Sequence, residues 1–256
     1  MLLLLVIMRL DVYLFEKQLA RSRSDAKKLI QEGCVFVSGV EIRKPAYEVD
    51  EKDDIKVILP ETRYVSRGGF KLECAIKSFS LDFNGKLCLD IGSSTGGFTD
   101  CLLKNGASQV IAVDSGTNQL AKELREDNRI ITKENFNARY MKPIDLPYTP
   151  EICVMDVSFI SATHIIPAIY DCLSSNGEFV LLIKPQFEVG RSGIGKGGIV
   201  KDDKARNNAV ASVVKFAENI GFVTVGVVKS DIVGGDGNIE FLAYFKKREI
   251  FCKEVL

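Results

Sequence analysis

The chain has 256 residues, 46% of them hydrophobic and 27% charged, which suffices for a sizeable core divided between one large and one small domain and excludes a disordered chain. Lys+Arg and Asp+Glu both number 34, so net charge points to no polyanionic partner and any basic surface must be local. Seven scattered cysteines without a C-x-x-C pair and a single histidine, His164, argue against a disulfide frame, a metal cluster and a Ser-His-Asp triad.

Residues 1–8 are apolar, but they lack a basic start and a small-residue cleavage site and are too short to span a membrane. They read as an extension ahead of a start at Met8, with a short anchor as the alternative. Residues 9–60 form a small unit. Leu10, Leu14 and Leu19 predict a short amphipathic helix, and Ser22-Arg23-Ser24-Asp25 caps a second one, with Ala26, Leu29 and Ile30 on its apolar side and Gly33 at its end. Cys34 to Val37 and Val40 to Ile42 alternate around Ser38-Gly39 as a hairpin, and 55–58 supplies another strand. Arg9, Arg21, Arg23, Lys27 and Lys28 give this unit a basic side suited to phosphate contact, while Glu48, Asp50, Glu51, Asp53 and Asp54 concentrate the opposite charge. The segments Arg9-Leu10-Asp11, Ala20 to Ala26 and Gly33 to Gly39 resemble the small RNA-binding module named after ribosomal protein S-four.

After a linker at 61–67 the chain alternates strand and helix from 68 to 247, followed by a tail at 248–256. A helix runs to about Phe79, and strand 85–91 ends in Asp90-Ile91-Gly92-Ser93-Ser94-Thr95-Gly96-Gly97-Phe98-Thr99-Asp100, a strand-loop-helix ligand grip. Ser94 stands where a dinucleotide fingerprint needs its second glycine, which disfavours NAD and FAD. A small zwitterion suits the turn better, its carboxylate at the helix start and its ammonium at Asp90, and S-adenosylmethionine has such an end. Asp114, at the end of a second strand 110–113, is placed for two ribose hydroxyls, and Asn137 either lines the adenine edge or closes a turn. The cofactor set is therefore Asp90, Gly92, Ser93, Ser94, Gly96, Gly97, Phe98, Asp114 and Asn137. Helices are expected at 118–127 and 158–173, the latter kinked or split by Pro167, and strands at 129–132, 152–155 and 178–183. Lys184 follows the most apolar strand and should point into a site, since burying an unpaired ammonium is costly. Residues 190–198 nearly spell a P-loop, but Gly197 replaces the magnesium-binding hydroxyl, and a mobile substrate-facing lid is the better reading. Helix 203–220 and strands 222–228 and 239–245 complete a mostly parallel Rossmann-like α/β sheet, the last two strands forming an antiparallel pair.

A doubly wound sheet would gather Lys71, Asp156, Lys184 and Glu240 over one crevice. The blocks Ser66 to Glu73, Asp90 to Asp100, Asp156 to Ser161, Ile183 to Glu188 and Gly237 to Glu240 closely resemble the hemolysin-A-type family, which joins an S-four-like module to a methyltransferase domain related to the heat-shock ribose methyltransferases. That resemblance implies a class I methyltransferase fold, a Lys71-Asp156-Lys184-Glu240 catalytic tetrad, S-adenosylmethionine as cofactor, and methylation of a cytidine ribose 2′-hydroxyl in ribosomal RNA. It also implies ribosomal RNA or subunits as partners, a cytoplasmic location and no stable membrane association. Lysine accepts a proton only in its neutral form, which a neighbouring cation and desolvation favour and adjacent carboxylates oppose, so the four groups should titrate as a unit. A non-catalytic ribosome-binding factor and a hemolysin-like membrane-active protein are the alternatives.

Overall fold

The computed structural model describes residues 7–20, 22–31, 33–50, 52–58, 63–190, 193–234 and 237–248. The apolar start up to residue 6, Arg21 and nearly all of the tail lie outside them. The chain divides into two compact units, Met1–Arg63 and Tyr64–Leu256.

In the small unit, helix α1 (Leu10–Glu16) and helix α2 (Arg23–Gln31) pack beside strands β1 (Met8–Arg9), β2 (Val35–Val37), β3 (Val40–Glu41), β4 (Glu48–Val49) and β5 (Ile55–Val57). Leu10, Leu14, Ala26, Ile30, Val35, Val37 and Val49 are its core. The Ser22 hydroxyl accepts the Asp25 N–H at 3.1 Å and so caps α2 as its sequence demands. Both residues of the β2–β3 turn have positive φ, 49° at Ser38 and 83° at Gly39, the twist that suits a two-residue hairpin. Two features differ from expectation. Leu19 lies beyond the end of α1, after Gln18 at φ 58°, and is 42% exposed. A second small ladder, β1 against β4, forms where no alternation announced it.

The large unit is built on a seven-stranded sheet of β6 (Leu87–Ile91), β7 (Gln109–Val113), β8 (Ile130–Lys133), β9 (Ile152–Met155), β10 (Glu178–Ile183), β11 (Phe222–Lys229) and β12 (Phe241–Lys247), in the order β11-β12-β10-β9-β6-β7-β8. Helices α3 (Gly68–Phe79), α4 (Gly97–Lys104), α5 (Lys122–Arg125), α6 (Ile166–Cys172) and α7 (Asp203–Ile220) accompany it. β9 is buried throughout and β10 almost so, as their unbroken apolar runs require of central parallel strands. β12 runs antiparallel to both neighbours, β10 and β11.

Two predicted helices are shorter than their patterns suggested. At 118–120 the backbone N–H groups bond to the Glu134 carboxylate, so α5 starts only at Lys122. Residues 158–161 are not helical; a 3₁₀ turn at Ala162–His164 precedes α6, and Pro167 sits in its first turn, where a missing N–H costs nothing. Residues 64–67, read as linker, belong to the large unit: Tyr64 is buried in its core, and Val65 N–H donates to Asp100 at 2.8 Å. Arg191 and Ser192 of the glycine stretch lie outside the described residues; its far end is fastened, as the Asn238 side chain accepts from Val200 N–H and donates to the Gly198 carbonyl, both at 3.0 Å.

Candidate active site

Parallel strands all point their carboxyl ends to one edge of the sheet, and the loops after β6, β7 and β9 enclose a cavity of about 470 Å³ there. Gly92, Ser94, Asp114, Asn137 and Asp156 line it. Gly92 has φ 81°, and a Cβ there would stand 2.4 Å from the Asp156 carbonyl oxygen, so the turn after β6 can approach β9 only with glycine. The Asp114 carboxylate accepts Ser94 N–H at 2.8 Å and Gly116 N–H at 2.7 Å, leaving lone pairs on both oxygens for hydroxyls in the cavity. Asn137 does both things its sequence left open: its side chain accepts the Arg139 N–H at 3.0 Å to start a 3₁₀ turn, and it lines the cavity.

The remaining cofactor candidates lie behind this wall. Asp90 is fully buried; its Oδ2 accepts the Thr99 hydroxyl at 2.6 Å, while Oδ1 is buried with no partner. Burial pushes its carboxyl up to about 7, with Asp156 and Asp114 adding to the shift and the Thr99 hydrogen bonds opposing it. Ser93 is buried, and Phe98 belongs to the hydrophobic core rather than to the lining, a correction imposed by its place on the inner face of α4. Gly96 and Gly97 are sites of close packing: a Cβ at Gly96 would stand 2.3 Å from Leu124, and one at Gly97 2.2 Å from Ser66.

The four chemistry-bearing residues assemble as two ion pairs, and of the four Asp156 lines the cavity. Lys184 Nζ lies 2.5 Å from Asp156 Oδ1 and donates to the Ser158 hydroxyl at 2.8 Å. Lys71 Nζ, from the first turn of α3, donates to Glu240 Oε2 at 2.6 Å, both side chains being buried. The register explains the gathering. Met155 pairs with Leu181 and Ile183 with Phe241, so Asp156, Lys184 and Glu240 sit at adjoining strand ends.

Several residues escaped the sequence reading. Glu134 holds the loop after β7 through N–H groups of Asn118, Gln119 and Leu120 at 2.6–3.1 Å and through Arg125 at 2.6 Å. Burial raises its carboxyl, but those bonds outweigh it and hold the group down at about 2. Phe159, at φ 65° and 92% exposed, stands at the cavity mouth with its ring 5.3 Å from Phe187. An exposed aromatic next to D-V-S was the available signal for Phe159; an isolated Glu134 carried none.

In the small unit, buried Asp11 accepts Arg9 at 2.9 and 3.1 Å and Arg23 at 3.4 Å. Burial pushes the Asp11 carboxyl up, yet the two guanidinium groups hold it below its usual value. Both arginines remain about half exposed, and Lys27 is exposed. Among the described residues, no group of three His, Cys, Asp or Glu could hold a metal, and no helix is long and apolar enough to cross a membrane.

The FtsJ-like methyltransferase family matches residues 64–247 and the S4 domain residues 8–55. Hemolysin A of Brachyspira hyodysenteriae is 46% identical over 243 residues, spanning 93% of this chain and 99% of that protein. The 16S/23S rRNA (cytidine-2′-O)-methyltransferase TlyA of Mycobacterium tuberculosis is 40% identical over 239 residues, spanning 93% and 89%. A solved structure of a hemolysin-named protein from Streptococcus thermophilus has a TM-score of 0.76 at 42% identity, covering 95% of this chain and 89% of that one. The cavity fits the cofactor such a family uses, S-adenosylmethionine: Asp114 in its wall keeps lone pairs that ribose hydroxyls could use, and behind the wall the buried Asp90 Oδ1 has no partner among the described residues. The chain therefore belongs to the FtsJ-like methyltransferases, as an S-adenosylmethionine-dependent enzyme that carries an S4 domain ahead of its catalytic one.

Proposed function

We propose that the enzyme methylates the 2′-hydroxyl of a cytidine ribose in ribosomal RNA, working in the cytoplasm on ribosomal subunits. The observation that carries this reading is the pair of lysine–carboxylate contacts, Lys184 with Asp156 and Lys71 with Glu240, with Asp156 in the wall of the cofactor cavity and Lys184 and Glu240 at adjoining strand ends. Bound S-adenosylmethionine supplies an electrophilic methyl on a sulfonium. A ribose hydroxyl is a very weak acid, so the protein's work is to position it and to manage its proton. In its neutral form Lys184 Nζ takes that proton, and as an ammonium it stabilises the developing oxyanion, while Asp156 and Ser158 fix its direction. Lys71, held by Glu240, adds positive charge without reaching into the cavity. Phe159 offers an exposed ring on which a base can stack beside the hydroxyl being methylated. Arg9, Arg23 and Lys27 of the S4 domain, with Arg21 and Lys28 in the same stretch, supply phosphate contacts.

The test is transfer of labelled methyl from S-adenosylmethionine to purified 30S and 50S subunits, followed by digestion to nucleosides. Label in 2′-O-methylcytidine is expected. Label confined to methylated bases, or none on either subunit or on free ribosomal RNA, would overturn the assignment.

A further inference from the structure

The segments that follow β9 and β10 leave the sheet side by side, and three links join them. Nearest the sheet, Lys184 meets Asp156 and Ser158. Further out, the Phe159 and Phe187 rings lie 5.3 Å apart. Outermost, Glu188 Oε2 accepts the Ser161 hydroxyl at 2.6 Å and Oε1 accepts the Ala162 N–H at 2.8 Å. Bonds to a carboxylate this short are the strong kind, and both oxygens are committed to one turn. Ser161 is itself engaged there, as the cap of the 3₁₀ turn at Ala162–His164.

Between the first and last links sits Phe159, with a left-handed φ of 65° that a bulky side chain adopts only under constraint. Its ring is 92% exposed, so burial does not hold it there. Glu188 does not line the cofactor cavity and is no member of either lysine–carboxylate pair.

We propose that Glu188 is a positioning residue of the methyl-transfer reaction: through Ser161 and Ala162 it latches the segment carrying Asp156 and Phe159 to the segment carrying Lys184, and so sets the geometry of the reactive pair. The inference rests on the methyltransferase reading given above. A latch of this kind acts on kcat, because misplacing a reacting group by about 1 Å costs on the order of a hundredfold in rate while leaving the cofactor cavity intact.

Glu188→Ala and Glu188→Asp are expected to lower single-turnover kcat by about tenfold or more, with the S-adenosylmethionine Kd and the KM for RNA within about twofold of wild type. Glu188→Gln keeps length and planarity, can accept Ala162 N–H and donate to the Ser161 hydroxyl, and should recover most of the rate. Ser161→Ala should also be slow, and the Ser161→Ala/Glu188→Ala double variant no slower than Glu188→Ala alone, since both remove one interaction. Hydrogen exchange gives a readout that needs no activity: amides 157–163 should exchange faster in Glu188→Ala while those of 91–99 are unchanged. Where Glu188→Ala yields no folded protein, Ser161→Ala carries the same rate and exchange measurements. Unchanged exchange at 157–163, a wild-type kcat, or a rate loss matched by loss of cofactor binding would each overturn the latch. Faster exchange in the variant together with no methyl transfer by the wild type would instead overturn the assigned reaction.

Discussion

Lys71 and Glu240 stand 169 residues apart in the chain and 2.6 Å apart in the fold. The antiparallel insertion of β12 beside β10 brings the start of a late strand to the edge where the parallel strands end. Gly234 completes the enclosure, since a Cβ there would stand 2.5 Å from Glu240 Oε1. Neutralising one member of a buried pair leaves the other charge uncompensated, at a typical loss of about 3–5 kcal/mol, whereas removing both charges is far milder. Glu240→Gln should therefore unfold at distinctly lower denaturant than wild type, and Lys71→Met/Glu240→Gln should regain most of that stability without regaining methyl transfer. Equal midpoints for Glu240→Gln and wild type would show that the pair is solvated in solution.

Asp90 makes a pH prediction. Its carboxyl is raised to about 7 by burial, against about 3.9 for an exposed aspartate. Because the folded value is the higher one, its contribution to stability is fully present below the unfolded value and is lost as pH rises from about 4 to 7, by up to ~1.4 kcal/mol per pH unit. Asp90→Asn cannot ionise. Without cofactor it should melt higher than wild type at pH 8, with the gap closing toward pH 4, and any weakening of S-adenosylmethionine binding should be larger at pH 8 than at pH 4. Parallel melting curves across that range would show that Asp90 is not the titrating group.

Much of this was legible in the sequence because it depends on local signals. The cap at Ser22, the Ser38-Gly39 turn, helix α7 and every strand of the large sheet follow from capping residues, turn glycines and apolar runs. The two ion pairs join residues that the sequence singled out because Asp156, Lys184 and Glu240 follow or border strand ends and all four, Lys71 on α3 included, lie within family motifs. What sequence missed depends on long-range partners. Asp90 sits in the expected place, but its carboxylate turns to Thr99 inside the fold instead of lining the cavity. Helical periodicity at 118–127 lost to Glu134, a competitor 14 to 16 residues away that no local pattern reveals.

Glu134 should then be felt at the cofactor, because the loop it gathers includes Gln119 and borders Asp114. Glu134→Gln offers one acceptor where the carboxylate offers two charged ones. The expected result is S-adenosylmethionine binding weaker by roughly tenfold, about 1.4 kcal/mol, within the range for bonds to a charged group. The carboxyl is held down at about 2, so its stabilisation is present above the unfolded value near 4.3 and fades as pH falls toward 2. Calorimetric titration at pH 7 giving the wild-type Kd would remove Glu134 from the binding argument.

For the S4 domain, Arg9 and Arg23 are poor choices for testing RNA affinity, since both neutralise buried Asp11 and their loss would disturb the fold. Lys27→Gln and Lys28→Gln together avoid this. The double variant should bind ribosomal RNA more weakly, with a salt dependence shallower by about 0.7–0.9 for each phosphate no longer neutralised, and with unchanged cofactor affinity. An unaltered slope of log K against log salt would place the RNA-binding surface elsewhere.

Lys184 decides what the site contributes chemically. Its ammonium lies 2.5 Å from Asp156 and donates to the Ser158 hydroxyl at 2.8 Å. Lys184→Met keeps the bulk of the stem and removes the charge. The side chain does not line the cofactor cavity, so S-adenosylmethionine binding should be near normal. Single-turnover transfer should fall by on the order of a hundredfold or more, the scale typical of losing a general base. Lys184→Arg separates proton removal from charge, because guanidinium stays protonated at any working pH and cannot take the hydroxyl proton. If proton removal is the essential step, Lys184→Arg is as slow as Lys184→Met. If the site contributes positive charge alone, Lys184→Arg recovers rate in proportion to how well the broader group fits between Asp156 and Ser158. A wild-type rate in Lys184→Met would sink both, and would move the reaction's proton to a group other than this lysine.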